Sequence, residues 1–71
     1  MTLQNGLKEL RLDRGYTQEA LAREVGVSRQ SIFAIEKGKY RPTVELALRL
    51  ALALGSSVEE IFWLEENQGE G

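Results

Sequence analysis

Apolar residues recur at helical spacing along most of the chain and divide it into five segments. Leu3, Leu7 and Leu10 predict a first helix that ends at residue 14. Its first residue is 2 or 5, and this choice stays open because Asn5-Gly6 is also a turn signal.

Two short helices follow, and each begins after a residue that favours the N-cap position. Thr17 caps a second helix that runs to Val25, and Ser28 caps a third that runs to Lys37. Gly26 lies between them and can adopt the left-handed conformation that a side chain disfavours. Two helices joined by a tight glycine turn are typical of a helix-turn-helix.

The last two predicted helices complete the domain. Thr43 caps a fourth helix over residues 44–54, which is apolar nearly all round and is therefore expected to lie central and buried. Ser57 and Glu60 have the capping-box spacing of a fifth helix that runs to Leu64. The pattern predicts an all-α fold, a compact five-helix domain over residues 1–64, and an acidic tail over 65–71 that is expected to be disordered.

Composition excludes several classes of protein. The 71 residues contain no cysteine and no histidine, which removes the thiolate and imidazole groups that most often bind metals or act as bases. The sequence also has no glycine-rich phosphate loop and no clustered carboxylate pair, so we expect neither an enzyme nor a metal or cofactor site. No signal peptide or membrane-spanning stretch is visible, and a cytoplasmic protein with no membrane partner is expected.

The net charge of −2 hides an uneven distribution. The first 58 residues carry nine basic and six acidic side chains, a net charge of +3, and all later charges are acidic. Four bases lie within thirteen residues: Arg29, Lys37, Lys39 and Arg41. A basic cluster of this kind is the electrostatic footprint of a nucleic-acid-binding surface.

The third helix has two different faces at 100° per residue. Ser31, Ile32 and Ile35 fall on a side that can pack, whereas the other side carries Arg29, Gln30, Phe33, Ala34 and Lys37. In a DNA major groove, arginine can bond to guanine, glutamine can bond to adenine, and an apolar side chain can contact a thymine methyl. The second face is therefore a candidate for reading base edges.

The segment TQEALAREVGVSRQSIFAIEKGKYRPT resembles the DNA-binding domain of the Cro/CI-like, or XRE, helix-turn-helix family. The motifs are Thr-Gln-Glu-x-Leu-Ala, Gly-Val-Ser and Ile-x-x-Ile-Glu-x-Gly, and the resemblance implies a phage-repressor-like five-helix fold over nearly the whole chain. It implies base contacts at Arg29, Gln30 and Phe33, and a salt bridge between Arg11 and Glu36. Arginine and phenylalanine are unusual at two of these base-reading positions, so the resemblance does not imply a particular operator.

A second group of residues is expected to contact DNA phosphates, which fix the register of a protein on the duplex but carry no sequence information. The group consists of Gln18, Ser28, Lys37, Lys39, Tyr40 and Arg41. By the resemblance, Gln18 binds a phosphate at the start of its helix and steadies a base-reading residue. Tyr40 can equally pack its loop, and Ser28 is first of all a helix cap.

These residues favour a sequence-specific transcriptional regulator that binds double-stranded DNA, most simply a homodimeric repressor of a palindromic operator. A promoter-binding antitoxin and a helical protein-interaction module are the alternatives. At 71 residues we expect no sensor domain and no small-molecule ligand.

The end of the fifth helix supplies a candidate dimer interface. Val58, Ile61 and Phe62 share a face that can complete the core, whereas Trp63 and Leu64 point away from it. An exposed tryptophan beside a leucine is typical of an interface. The alternative is that the chain turns after Ile61 and folds Trp63 back onto the first or fourth helix.

Overall fold

Five short helices and two strands make up residues 1–66, the part of the chain that the computed structural model describes. In chain order the elements are β1 (Thr2–Asn5), α1 (Leu7–Asp13), α2 (Gln18–Val25), α3 (Arg29–Glu36), α4 (Val44–Leu54), α5 (Val58–Ile61) and β2 (Phe62–Glu65). The second and fourth helices have the predicted bounds, and the third ends one residue before the prediction.

Side-chain caps fix where four of these helices begin. The oxygens of Thr17, Ser28 and Thr43 each accept a hydrogen bond from the backbone N–H three residues later, over 3.0–3.1 Å. Ser57 and Glu60 form both halves of the predicted capping box. Each cap satisfies an N–H that has no partner within the helix, so these starts follow from local sequence.

The core lies where α2, α3 and α4 meet the inner sides of α1 and α5. Its fully buried members come from every helix: Leu7, Leu21, Ile32, Ile35, Leu50, Leu54 and Ile61. Burial of this apolar surface stabilises the domain. The described residues include no candidate metal cluster.

Both ends of the domain differ from the prediction, because they pair with each other as strands. β1 and β2 are antiparallel, with Leu3 opposite Leu64, so α1 begins only at Leu7 and α5 ends at Ile61. The Asn5 side chain accepts a hydrogen bond from the Leu7 N–H at 3.1 Å, which makes residues 5–7 a turn. The all-α prediction is therefore wrong at the ends, and the fold is mostly helical with a small two-stranded sheet.

Helix α4 is central but is not buried all round. Leu46, Leu50 and Leu54 face the core, whereas Leu48 and Leu52 are 52% and 84% exposed. The prediction failed because α4 packs mainly against α2 and α5, and these neighbours cover only one side of it.

The predicted boundary between domain and tail falls within β2. Glu65, placed in the tail by the sequence, pairs with Thr2, and residues 67–71 lie outside the described part, so disorder of the tail remains a prediction. Among the described helices, none has the length and apolar character needed to span a membrane.

Candidate nucleic-acid interface

The turn between α2 and α3 favours a glycine for two reasons. Gly26 has a φ of +79°, a left-handed conformation that a Cβ disfavours. A Cβ built there would also lie 3.3 Å from Nη1 of Arg49, which donates a hydrogen bond to the Val25 carbonyl at 3.4 Å. Helix α4 thus supports the turn that sets the angle between α2 and α3.

Helix α3 is held by one face and presents the other to solvent. Ile32 and Ile35 are 0% and 1% exposed, whereas Arg29, Gln30 and Phe33 are exposed. The two-faced pattern read from the sequence is present, and Phe33 is 45% exposed and lies outside the hydrophobic core. A side chain on this face is free to contact a ligand.

A buried ion pair joins α1 to the end of α3. Nε of Arg11 lies 2.6 Å from Oε2 of Glu36, and the two side chains are only 8% and 5% exposed. Nη1 of Arg11 also donates to the Tyr16 carbonyl at 2.9 Å. The pair implied by the family resemblance is thus present, and its geometry satisfies both charges away from water.

Gln18 connects the ion pair to the exposed face of α3 through two hydrogen bonds. The amide nitrogen of Gln18 donates to Oε1 of Glu36 at 3.0 Å, and its amide oxygen accepts from Nη1 of Arg29 at 3.4 Å. Because the carboxylate of Glu36 accepts but cannot donate, it orients the amide with its oxygen toward Arg29. A chain of hydrogen bonds therefore links the buried ion pair to one end of the candidate reading face.

The exposed face of α3 also borders an open groove of about 430 Å³. Seven residues line the groove: Ser28, Gln30, Ser31, Phe33, Ala34, Lys39 and Tyr40. The fold brings two of the predicted phosphate-binding residues, Lys39 and Tyr40, beside the predicted base-reading residues Gln30 and Phe33. Tyr40 is 44% exposed, so its ring remains partly open to solvent.

The remaining residues predicted to bind phosphate lie in different surroundings. Ser28 caps α3, and its hydroxyl lies 3.1 Å from that of Ser31. The ammonium of Lys37 lies 5.6 Å from the centroid of the Phe33 ring, a cation–π distance. Arg41 lines a different pocket beside β1 and does not share the groove with Lys39.

Trp63 and Leu64 lie in β2 rather than in a helix, as a consequence of the turn after Ile61. Leu64 is 63% exposed and Trp63 is 43% exposed. The Trp63 ring packs near the beginning of α1, 3.5 Å from where a Cβ of Gly6 would be. This fits the alternative in which Trp63 folds back toward the first helix, although much of its surface stays open.

Three side chains that sequence reasoning missed hold the elements together by binding backbone carbonyls. Asn5 donates to the Ile35 carbonyl at 2.9 Å, Arg14 donates to the Leu54 carbonyl at 2.9 Å, and Arg49 supports the turn described above. The partners are 24 to 40 residues away along the chain, so no local motif marks them.

Comparison with known proteins agrees with this geometry. The profile of the helix-turn-helix family matches residues 7–61, which spans α1 to α5. The chain belongs to the XRE-type helix-turn-helix family. Members of this family are DNA-binding transcriptional regulators rather than enzymes.

Similar proteins come from both bacteria and archaea. The uncharacterized HTH-type transcriptional regulator YgzD of Bacillus subtilis (strain 168) is 50% identical over 64 residues, which cover 90% of this chain and 97% of YgzD. An uncharacterized HTH-type transcriptional regulator of Methanothermobacter thermautotrophicus is 52% identical over 62 residues, which cover 86% of this chain and 90% of that protein. Among solved structures, the restriction-modification controller protein C.AhdI from Aeromonas hydrophila is similar with a TM-score of 0.72 at 35% identity, covering 76% of this chain and 82% of that chain.

Proposed function

We propose that this XRE-type regulator is a homodimeric repressor that reads a palindromic operator by inserting α3 into the major groove. The observation that carries the proposal is the exposed face of α3, on which Arg29, Gln30 and Phe33 lie beside two lysines. Repression needs only occupancy of the operator, which this face can provide without a further contact to the transcription machinery.

The base-reading roles follow from hydrogen-bond geometry. A guanidinium can donate two parallel hydrogen bonds to O6 and N7 of guanine, and a glutamine amide can bond to N6 and N7 of adenine. Arg29 is suited to the first role because its exposed guanidinium lies at the beginning of α3, where Gln18 accepts a hydrogen bond from it. Gln30 is exposed one residue later and is suited to the second.

The phosphate-binding roles fall to residues around this face. Gln18 uses one amide N–H for Glu36, and an amide nitrogen has a second N–H that can donate to a phosphate. Lys39 and Tyr40 border the groove next to α3, where a DNA strand flanking the major groove would run. We assign Ser28, Lys37 and Arg41 to the same role, with Arg41 contacting the backbone farther from α3.

Selection of bound sites from a random duplex pool tests the proposal. We expect an inverted repeat whose half-sites lie about 34 Å apart, one helical turn. Arg29→Ala and Gln30→Ala should each lose base preference at one position of the half-site and weaken specific binding by about 1–3 kcal/mol. Arg23→Ala is the matched control, because Arg23 is an arginine of α2 whose side chain is 76% exposed. Enrichment of no sequence by the wild type would refute the proposal.

The dimer is proposed to form through Trp63 and Leu64, now as residues of β2. Both keep apolar surface open to solvent, on opposite faces of the strand because its side chains alternate, and exposed apolar surface of this kind marks an interaction site. A two-fold dimer would present two α3 helices to successive turns of the groove.

Sedimentation at micromolar concentration tests this interface. We expect a wild-type dimer, and a folded monomer with reduced operator affinity for both Trp63→Glu and Leu64→Glu. The second variant is needed because Trp63 also packs near Gly6. Leu52→Glu is the control, since Leu52 is an 84% exposed leucine of α4, and it should remain dimeric. If Leu52→Glu is monomeric instead, the interface lies on α4.

A further inference from the structure

Phe33 occupies a position on α3 where its apolar ring has no structural role in the core. The ring is 45% exposed, and it lies one turn after Arg29 on the same exposed face. The buried side of the helix is already supplied by Ile32 and Ile35. The role of the phenyl group therefore depends on what the exposed face binds.

The surroundings of Phe33 border the ring without covering it. The Lys37 ammonium lies 5.6 Å from the ring centroid, and the ring borders the groove that Ala34 and Tyr40 also line. An exposed apolar ring that lines a groove favours contact with an apolar group over a hydrogen-bonding one, because a polar group buried against it loses its hydrogen bonds.

The major groove offers few apolar groups to such a ring. Guanine, adenine and cytosine present hydrogen-bond donors and acceptors there, whereas thymine also presents a methyl group at C5. A phenyl ring has no hydrogen-bonding atom and cannot distinguish bases by their donors and acceptors. The group that gives it a favourable contact is the C5 methyl of a pyrimidine.

We propose that Phe33 makes operator recognition depend on a pyrimidine 5-methyl group, close to the base that Arg29 reads. This inference rests on the proposed function of α3 as the reading helix. The chemical class recognised is a 5-methylpyrimidine, which includes 5-methylcytosine as well as thymine. Methylation of a cytosine at this position therefore strengthens binding, and the protein distinguishes methylated from unmethylated DNA there.

The test uses the operator obtained by selection and replaces each thymine in turn with deoxyuridine, which lacks only the methyl group. At one position in each half-site the wild type should bind about fourfold more weakly to deoxyuridine, the effect expected for one buried methyl. Cytosine at the same position should also weaken binding, and 5-methylcytosine should bind more tightly than cytosine by a similar factor.

Variants of Phe33 assign the effect to the ring. Phe33→Ala should bind thymine and deoxyuridine equally, and Phe33→Leu should keep a reduced preference for the methyl group. Arg23→Ala is the control, because Arg23 is an exposed side chain of α2, and it should keep the wild-type ratio. If Phe33→Ala binds too weakly to measure, the ratio for Phe33→Leu decides, and a ratio as large as that of the wild type overturns the proposal.

The outcomes separate this inference from the proposed function. A selected operator on which every deoxyuridine binds like thymine overturns the role of Phe33 but leaves α3 as the reading helix. A methyl preference that persists in Phe33→Ala also overturns it, since DNA shape or another side chain then senses the methyl. Failure to select any operator overturns the proposed function, and this inference with it.

Discussion

The helix-turn-helix and the terminal sheet of this domain are held in different ways. In the helix-turn-helix, caps at Thr17 and Ser28 and the turn at Gly26 fix the helices locally, and a buried ion pair locks α3 to α1. The sheet joins residues about 60 positions apart, such as Leu3 and Leu64, and much of its β2 strand is exposed. The face proposed to read DNA is thus in the region with more independent restraints, where preorganisation reduces the entropy lost on binding.

Removal of one charge from the buried pair should have the largest effect on stability. Glu36→Ala leaves the 8% exposed Arg11 without its carboxylate, and loss of one partner of a buried pair destabilises a protein by about 3–5 kcal/mol. Urea denaturation of Glu36→Ala, Arg11→Ala and the double variant should show that the double variant loses less than the sum of the two single variants.

The exposed pair between Glu45 and Arg49 is the control for the buried one. Its side chains are 74% and 54% exposed, and Glu45→Ala should destabilise the domain by at most about 0.5 kcal/mol because solvent screens such pairs. Equal effects of Glu36→Ala and Glu45→Ala would show that the ion pair does not distinguish the helix-turn-helix from the rest of the domain.

Substitution of the glycine in the turn between α2 and α3 should cause the next largest loss of stability. Gly26→Ala introduces a Cβ at positive φ, which disfavours the fold by about 1–2 kcal/mol, and it adds a close contact with Arg49. Gly55→Ala is a matched control, since Gly55 ends α4 at a φ of +64° and has no atom within 4 Å of a built Cβ. We expect Gly26→Ala to be the more destabilising in thermal denaturation; equal losses would mean that Arg49 moves away at no cost.

Substitutions in the two-stranded sheet should cause the smallest loss of stability. Leu64→Ala removes a cross-strand contact with Leu3, and such pairs contribute about 0.2–1 kcal/mol. Amide hydrogen exchange should be faster in β1 and β2 than at Ile32 and Ile35 in α3, since exposed elements open more readily. Slower exchange in the sheet than in α3 would reverse the comparison.

The sequence predicted best what local chemistry determines. The N-caps at Thr17, Ser28 and Thr43 gave the beginnings of three helices, because a side-chain oxygen and the N–H it binds are three residues apart. The strands were missed because four-residue segments at opposite ends carry no signal of their partner, and Leu3 and Phe62 also fit a helical period.

In the candidate site, too, one part follows from local sequence and another part depends on contacts between distant elements. Its exposed residues could be read from the angular positions of Arg29, Gln30 and Phe33 along one helix. The link from Glu36 through Gln18 to Arg29 depends on how α2 and α3 cross. Exposure of the outer side of α4 depends on which neighbouring elements cover it, and the composition of the helix does not determine those neighbours.

The central claim is that α3 reads bases while the loop after it binds phosphates. Its most direct test is the dissociation constant for an operator duplex and for a random duplex, over a series of salt concentrations. Lys39→Ala should weaken both complexes equally and reduce the salt dependence by about one unit of log–log slope. Arg29→Ala should lower the ratio of specific to non-specific affinity, by about 1–3 kcal/mol of discrimination. The opposite pattern, in which Lys39→Ala changes the ratio and Arg29→Ala leaves it unchanged, would contradict the account.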